Sequence, residues 1–242
     1  KNHVLKAVIF DLGISTTQIN DPKKGISFNY KGKLNMGMGL NNFNAHDVIN
    51  KTPEDTLVKI FKHFGEEKLS KLIAKKLVLE RKNKIIDTER LVNIIDSVKK
   101  KNKKKIHNAT KIFQSLRIFV NKEISQLIYA LVKSYSILPL GGIIAVVTFH
   151  SLEDKIVKYF FKNYSENSNT SRYLPENKKN IKIFDLKQKK AISPSINEIK
   201  KNPSSRSAKL RYVIKVKENN DFKEFEKKFE YLINIENLSK EL

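Results

Sequence analysis

Val4-Leu5-Lys6-Ala7-Val8-Ile9-Phe10-Asp11-Leu12-Gly13-Ile14-Ser15-Thr16-Thr17-Gln18 decides how this chain is read. The first half is a short apolar run rich in branched residues. It ends in a carboxylate, a glycine and three hydroxyls. That pattern predicts a buried parallel strand delivering a polar loop at its carboxyl end. Ligands of open α/β sheets bind just outside those ends, so Asp11 stands where chemistry is usually done. The competing reading makes Asp11 a turn cap and Gly13 its relaxed neighbour.

A second stretch repeats the grammar. From Asn108 the sequence predicts one long helix, buried along Phe113, Leu116, Val120, Ile124, Leu127 and Leu131. Leu138-Pro139-Leu140-Gly141-Gly142 ends it, and Ile143 to Phe149 is another apolar strand. This strand closes on His150-Ser151, after which Leu152-Glu153-Asp154 opens a helix. Helix, tight turn, apolar strand, polar loop, helix is the order of α/β folds. Ser151 is expected to cap that helix with Asp154 as capping-box partner. His150 either touches a ligand or donates to a nearby carbonyl.

Helical patterns lie between the two strands. Asn44 caps a short helix over 45–50. Thr52-Pro53-Glu54-Asp55 predicts an N-cap with proline at the first helical position, and Gly65 stops that helix. Glu66 to Lys82 places Leu69, Leu72, Ile73 and Leu77 on one face, and the helix opened by Thr88 aligns Leu91, Ile94, Ile95 and Val98. Lys99 to Lys105 is nearly all lysine, which suits a solvated end or a phosphate contact. Beyond the second strand, Ser165 to Asn180 is polar, whereas Ile181 to Leu186 and Lys209 to Val216 read as strands. Phe222, Phe225, Phe229 and Leu232 stripe a C-terminal amphipathic helix.

The 242 residues include 48 basic and 25 acidic side chains, a net charge of +23. A polyanionic partner accounts for that excess, because neutralised phosphates release counterions; a general lysine bias is the plain alternative. There is no cysteine, which excludes disulfides, thiolate metal sites and cysteine nucleophiles. No run suits a membrane span and no signal peptide is visible, so a cytoplasmic setting is expected.

Taken together, the motifs resemble the bacterial and organellar small-subunit rRNA cytosine-N4 methyltransferases, the RsmH or MraW family. Asp11 to Gln18 is similar to the family's DLGvSSpQ, and Lys24-Gly25-Ile26-Ser27-Phe28 to its RGFSF. Ala109 to Ile118 is similar to ATRTFQALRI, Phe149 to Lys158 to FHSLEDRiVK, and Asn202 to Arg211 to NPRSRSAKLR. Order and spacing agree over about residues 4 to 216.

The resemblance implies an α/β, Rossmann-like S-adenosylmethionine-dependent methyltransferase sheet with an inserted helical domain. The expected division is 1–21 and 113–217 for the methyltransferase domain, 22–112 for the helical substrate-recognition insertion, and 218–242 for a C-terminal helix. It implies methylation of a cytidine N4 in the decoding region of 16S-type rRNA, with S-adenosyl-L-methionine as cofactor. The RNA or the assembled small subunit is the partner, and no metal or membrane is involved. Asp11 and Gln18 match cofactor-contacting positions. Asp11, His150 and Ser151 are the catalytic candidates on the two strand-end loops. Lys24, Arg117, Lys155, Lys158, Arg206, Lys209 and Arg211 are the candidate RNA contacts. A cytosine amine is a weak nucleophile. A carboxylate or carbonyl accepting its N–H would return electron density as the methyl is attacked, and the base must be unstacked to reach the site.

Three departures stand out. The family's glycine-rich GGHS loop and the acid after the next strand, expected before Val4, do not appear. The resemblance therefore implies a chain short of its first strands and inactive alone. Leu34-Asn35-Met36-Gly37-Met38-Gly39 stands where the family has LDMRMD, and Ser204 replaces an arginine. A non-catalytic RNA-binding relic is the alternative reading. A DNA methyltransferase is disfavoured, because Leu12-Gly13-Ile14 occupies the place of its (S/N/D)PPY loop.

Overall fold

The computed structural model describes residues 5–28, 31–39, 43–99, 107–165 and 182–241. In chain order its elements begin with β1 (Ala7–Asp11), α1 (Thr16–Asn20), α2 (Ala45–Lys51), α3 (Glu54–His63), α4 (Ser70–Arg81) and α5 (Thr88–Val98). There follow α6 (Thr110–Asn121), α7 (Glu123–Ile137), β2 (Ile143–Thr148), α8 (Ser151–Asn163), β3 (Phe184–Asp185), α9 (Ile196–Lys201), β4 (Lys209–Lys215) and α10 (Lys223–Asn237). The lysines beyond Lys99 and the polar stretch 166–180 lie outside the described residues, as does Ile181. No helix among the described residues is long and apolar enough to cross a membrane.

Two compact units emerge. One holds the residues up to Gly13 together with Leu127–Phe229; the other holds Ile14–Gln126 and the stretch from Glu230.

The first unit is α/β. Its sheet order is β1-β2-β4-β3. β1 and β2 run parallel with Asp11 opposite Val147, and β4 is antiparallel to both β2 and β3. α8 packs on β2 and β4. Phe160, Phe184 and Phe225 are fully buried, and the Phe160 ring contacts those of Phe184, Phe222 and Phe225. Each such ring contributes about 1.5–3 kcal/mol by leaving water. The expectation of a buried first strand is corrected: β1 forms one edge of this sheet, and Ile9 is 73% exposed. Lys215 is buried instead. Its ammonium donates to Tyr135 O at 3.1 Å and Leu138 O at 2.7 Å. A cation thereby satisfies the carbonyls at the end of α7, where the helix dipole is negative.

The second unit is helical. α3 packs against α4 and α6, α4 against α5, and α2 against α6. Asn44 caps α2 as the sequence predicts, accepting from the Asp47 N–H at 2.9 Å. Arg81 closes the other end of α2 by donating to Ile49 O and Thr52 O.

Three local expectations change. Pro53 is itself the N-cap of α3, and Thr52 ends the preceding helix. α4 starts only at Ser70, because Glu66 adopts a left-handed φ of 48°, and Leu72 is exposed. The long helix from Asn108 is two helices, broken at Lys122, whose φ is 51°. Glu236 explains how that break is accommodated: its carboxylate accepts from the Ile124 and Ser125 N–H groups, both at 2.9 Å. A side chain from the far end of the sequence thus caps the start of α7.

Candidate active site

Paired strand ends define the site of the first unit. The Leu12 N–H donates to Val147 O at 3.2 Å, continuing the ladder one step beyond Asp11. Gly13 follows with a φ of +96°, a conformation side-chain-bearing residues rarely adopt. A Cβ placed there would lie 3.7 Å from the Phe149 ring, so the loops after β1 and β2 run side by side. The Asp11 side chain is exposed and makes no hydrogen bond or ion pair among the described residues. A bare carboxylate at that position is available to accept from a bound molecule.

The second loop is organised differently from expectation. His150, not Ser151, is the N-cap of α8, and Glu153, not Asp154, completes the capping box. His150 Nδ1 accepts from the Glu153 N–H at 3.3 Å. Glu153 Oε2 accepts from the N–H groups of Phe149 at 2.9 Å and His150 at 3.3 Å. Its Oε1 lies 3.0 Å from His150 Nε2. Ser151 is the exposed first residue of the helix. The pattern His150-x-x-Glu153 was present in the sequence, but histidine is an uncommon cap and the adjacent serine is a common one.

Asp154, freed from capping, binds Arg211 Nε at 2.7 Å and Lys209 Nζ at 3.1 Å. Burial works to raise its pKa, but hydrogen bonds and charge from Arg211 and Lys209 outweigh burial and hold it below the ordinary range. Lys155, Lys158 and Arg206 are exposed and carry no ion pair among the described residues. The basic candidates of this unit therefore divide. Lys209 and Arg211 are committed to an internal carboxylate, whereas the other three face solvent unpaired.

In the helical unit, Gln18 caps its own helix. Its Oε1 accepts from the Ser15 N–H at 3.0 Å, and Ser15 Oγ accepts from the Gln18 N–H at 3.2 Å. Its Nε2 makes no hydrogen bond among the described residues. Thr16, Thr17, Gln18, Asn20 and Asp21 line an open concavity of about 600 Å³. Lys24 donates to Gly37 O at 3.2 Å and Arg117 forks onto Glu123 at 2.8 and 3.0 Å, so both have internal partners.

The loop that departs from LDMRMD has a packing role here. Leu34 and Met36 are fully buried, and Asn121 fastens the loop by accepting from Met38 N–H and donating to Met36 O. Nothing in the sequence singled out Asn121, which acts across 85 residues.

The mixed sheet, with parallel strands presenting adjoining polar loops, is consistent with the α/β methyltransferase class, and the family match assigns it there. The chain matches the model of the MraW methylase family over residues 1–216, and it belongs to that family. It is 42% identical over 209 residues to the ribosomal RNA small subunit methyltransferase H of Sinorhizobium fredii, covering 86% of this chain and 61% of the relative. Against the protein of the same name from Bartonella quintana it is 42% identical over 211 residues, covering 86% and 64%. Against that from Rhodopseudomonas palustris it is 40% identical over 205 residues, covering 84% and 62%. The chain thus spans about three fifths of the length of these relatives.

Proposed function

We propose that the protein is an S-adenosyl-L-methionine-dependent methyltransferase acting on a cytidine N4 in the decoding region of small-subunit rRNA. Family membership supports the reaction class, and the observation that carries the reading is Asp11. It is an exposed carboxylate at the end of β1, without a partner among the described residues and beside the loop that follows β2.

The residues present suit the proposed cofactor. In the first unit, Asp11 offers an acceptor for an ammonium, hydroxyl or amine; in the second unit, taken by itself, Gln18 Nε2 offers donors. S-adenosylmethionine, when bound, supplies an electrophilic methyl group.

This chain's residues contribute binding and orientation. The Asp11 carboxylate accepts an N–H of the cytosine amine and returns electron density to its nitrogen. Lys155, Lys158 and Arg206 neutralise backbone phosphates, which suits a chain of net charge +23. The helical unit recognises the rRNA or assembled subunit around the target. Holding amine and methyl in line provides most of the gain.

The test is transfer of labelled methyl to small subunits that lack the modification, with wild type and Asp11→Asn compared. Loss of about 100-fold or more in kcat with retained RNA binding is expected. Equal transfer by the variant refutes the role of Asp11. A non-catalytic RNA-binding protein is the second reading, favoured by the packed loop at Leu34 and Met36 that lacks the family's carboxylates. Tight RNA binding with no methyl transfer by wild type would establish it.

A further inference from the structure

We infer that Glu153 is the positioning residue of the proposed site, and that His150 serves it as a helix cap without touching substrate. The inference rests on the methyltransferase reading for its functional consequence and on geometry for its assignment.

The imidazole is buried and held at one edge. Nδ1 accepts from the Glu153 N–H, so it carries no proton in this arrangement. A neutral imidazole so placed carries its proton on Nε2, which lies 3.0 Å from Glu153 Oε1 but makes no hydrogen bond among the described residues. The His150 side chain is 9% exposed and that of Glu153 is 4% exposed. An imidazole turned inward, hydrogen-bonded at Nδ1 and this deeply buried, presents no open edge to a base.

Glu153 does more than orient the ring. Its Oε2 gathers the N–H groups of Phe149 and His150, the two residues that leave β2. One buried carboxylate therefore fixes the backbone of the loop that runs beside Gly13. Removing it releases two backbone donors and the cap partner together. The loop loses its defined position, although the sheet and the aromatic core stay intact. Displacement of about 1 Å at a reacting site costs on the order of 100-fold in rate.

The variants separate the two roles. His150→Asn keeps a strong N-cap acceptor for the Glu153 N–H but removes the imidazole. Glu153→Gln keeps size and shape, yet it sets an amide donor against either the ring N–H or the backbone donors. In the intact protein, His150→Asn is expected to retain kcat within about 3-fold. Glu153→Gln is expected to lower kcat by about 100-fold with KM for the subunit unchanged. The double variant is expected to lose no more than Glu153→Gln alone, because His150→Asn keeps the cap and adds no loss of its own.

Nitrogen-15 NMR of the histidine rings reads the geometry without any activity. Wild type is expected to show the Nε2–H tautomer at His150 near neutral pH, and Glu153→Gln to disturb it. An Nδ1–H tautomer, a 100-fold loss in His150→Asn, or losses that multiply in the double variant would overturn the inference. The Nε2–H tautomer in a wild type that transfers no methyl would instead refute the methyltransferase reading and leave the hold of Glu153 on the loop in place.

Discussion

Asp154 Oδ1 accepts from Arg211 Nε at 2.7 Å, joining two sequence motifs 57 residues apart. The Asp154 and Arg211 side chains are only 12% and 11% exposed, and Lys209 shares the same carboxylate. The bond ties the start of α8 to β4 and thereby braces the loop after β2.

Asp154→Asn should therefore destabilise the protein by about 2 kcal/mol near pH 7, since it leaves two cations beside a neutral amide. The folded pKa of Asp154 lies below its ordinary value of 3.8. Its stabilisation is fully present above that ordinary value and is lost as pH falls through the lower folded value. Acid unfolding followed by circular dichroism should show the penalty of the variant shrinking below about pH 4. A constant penalty down to pH 2 would contradict the pairing.

Exposed and committed cations should behave differently toward RNA. Lys155→Ala and Lys158→Ala should each weaken RNA binding across sequences and lower the salt slope of log K by about 1. Arg211→Ala should chiefly lower thermal stability. Filter binding at several salt concentrations, read beside melting curves, distinguishes the two classes. An unchanged slope in Lys155→Ala and Lys158→Ala would remove them from the phosphate contacts.

Glu236→Ala should cost about 1–2 kcal/mol in urea unfolding, because the Ile124 and Ser125 N–H groups lose their acceptor. Burial pushes the Glu236 carboxyl above its ordinary 4.5. A raised carboxyl takes up its proton first in the native state, so acidification through the folded value favours folding until about 4.5 is passed. Wild type should show that gain between the two values, and Glu236→Ala should lack it.

Gly25→Ala should be among the most damaging single changes in the helical unit. An added Cβ would lie 2.1 Å from Lys33 O, and the residue sits at a φ of +58°. Backbone must move to make room, so a loss of about 3 kcal/mol or more is expected. A melting temperature within 2 °C of wild type would show that the turn can rearrange.

Much of the fold was legible locally. The apolar strand β2, the Asn44 cap and the stripe Phe222, Phe225, Phe229 and Leu232 appear as read, and β1 is a strand though not a buried one, because period and capping chemistry act within a few residues. The misread places share a different cause. Nothing near Lys122 marks a helix break, and the cap that supports it comes from Glu236, 112 residues from Ile124. The burial of β1 depends on its neighbours in the sheet, not on its own composition. At the site, the strand-end positions of Asp11 and His150 were readable, but the inward turn of the imidazole was not.

The sequence by itself determined the family, the α/β order of elements, the absence of thiol chemistry and the cationic surplus. These follow from residue identity, spacing and local period. Tertiary structure alone decided which charges remain available. Arg117 is spent on Glu123 and Arg211 on Asp154, while Asp11, Lys155 and Lys158 have no ion pair among the described residues. A charge is neutralised by whichever opposite charge folding brings within about 4 Å, and the energy of that approach depends on distance and burial. Linear order records neither.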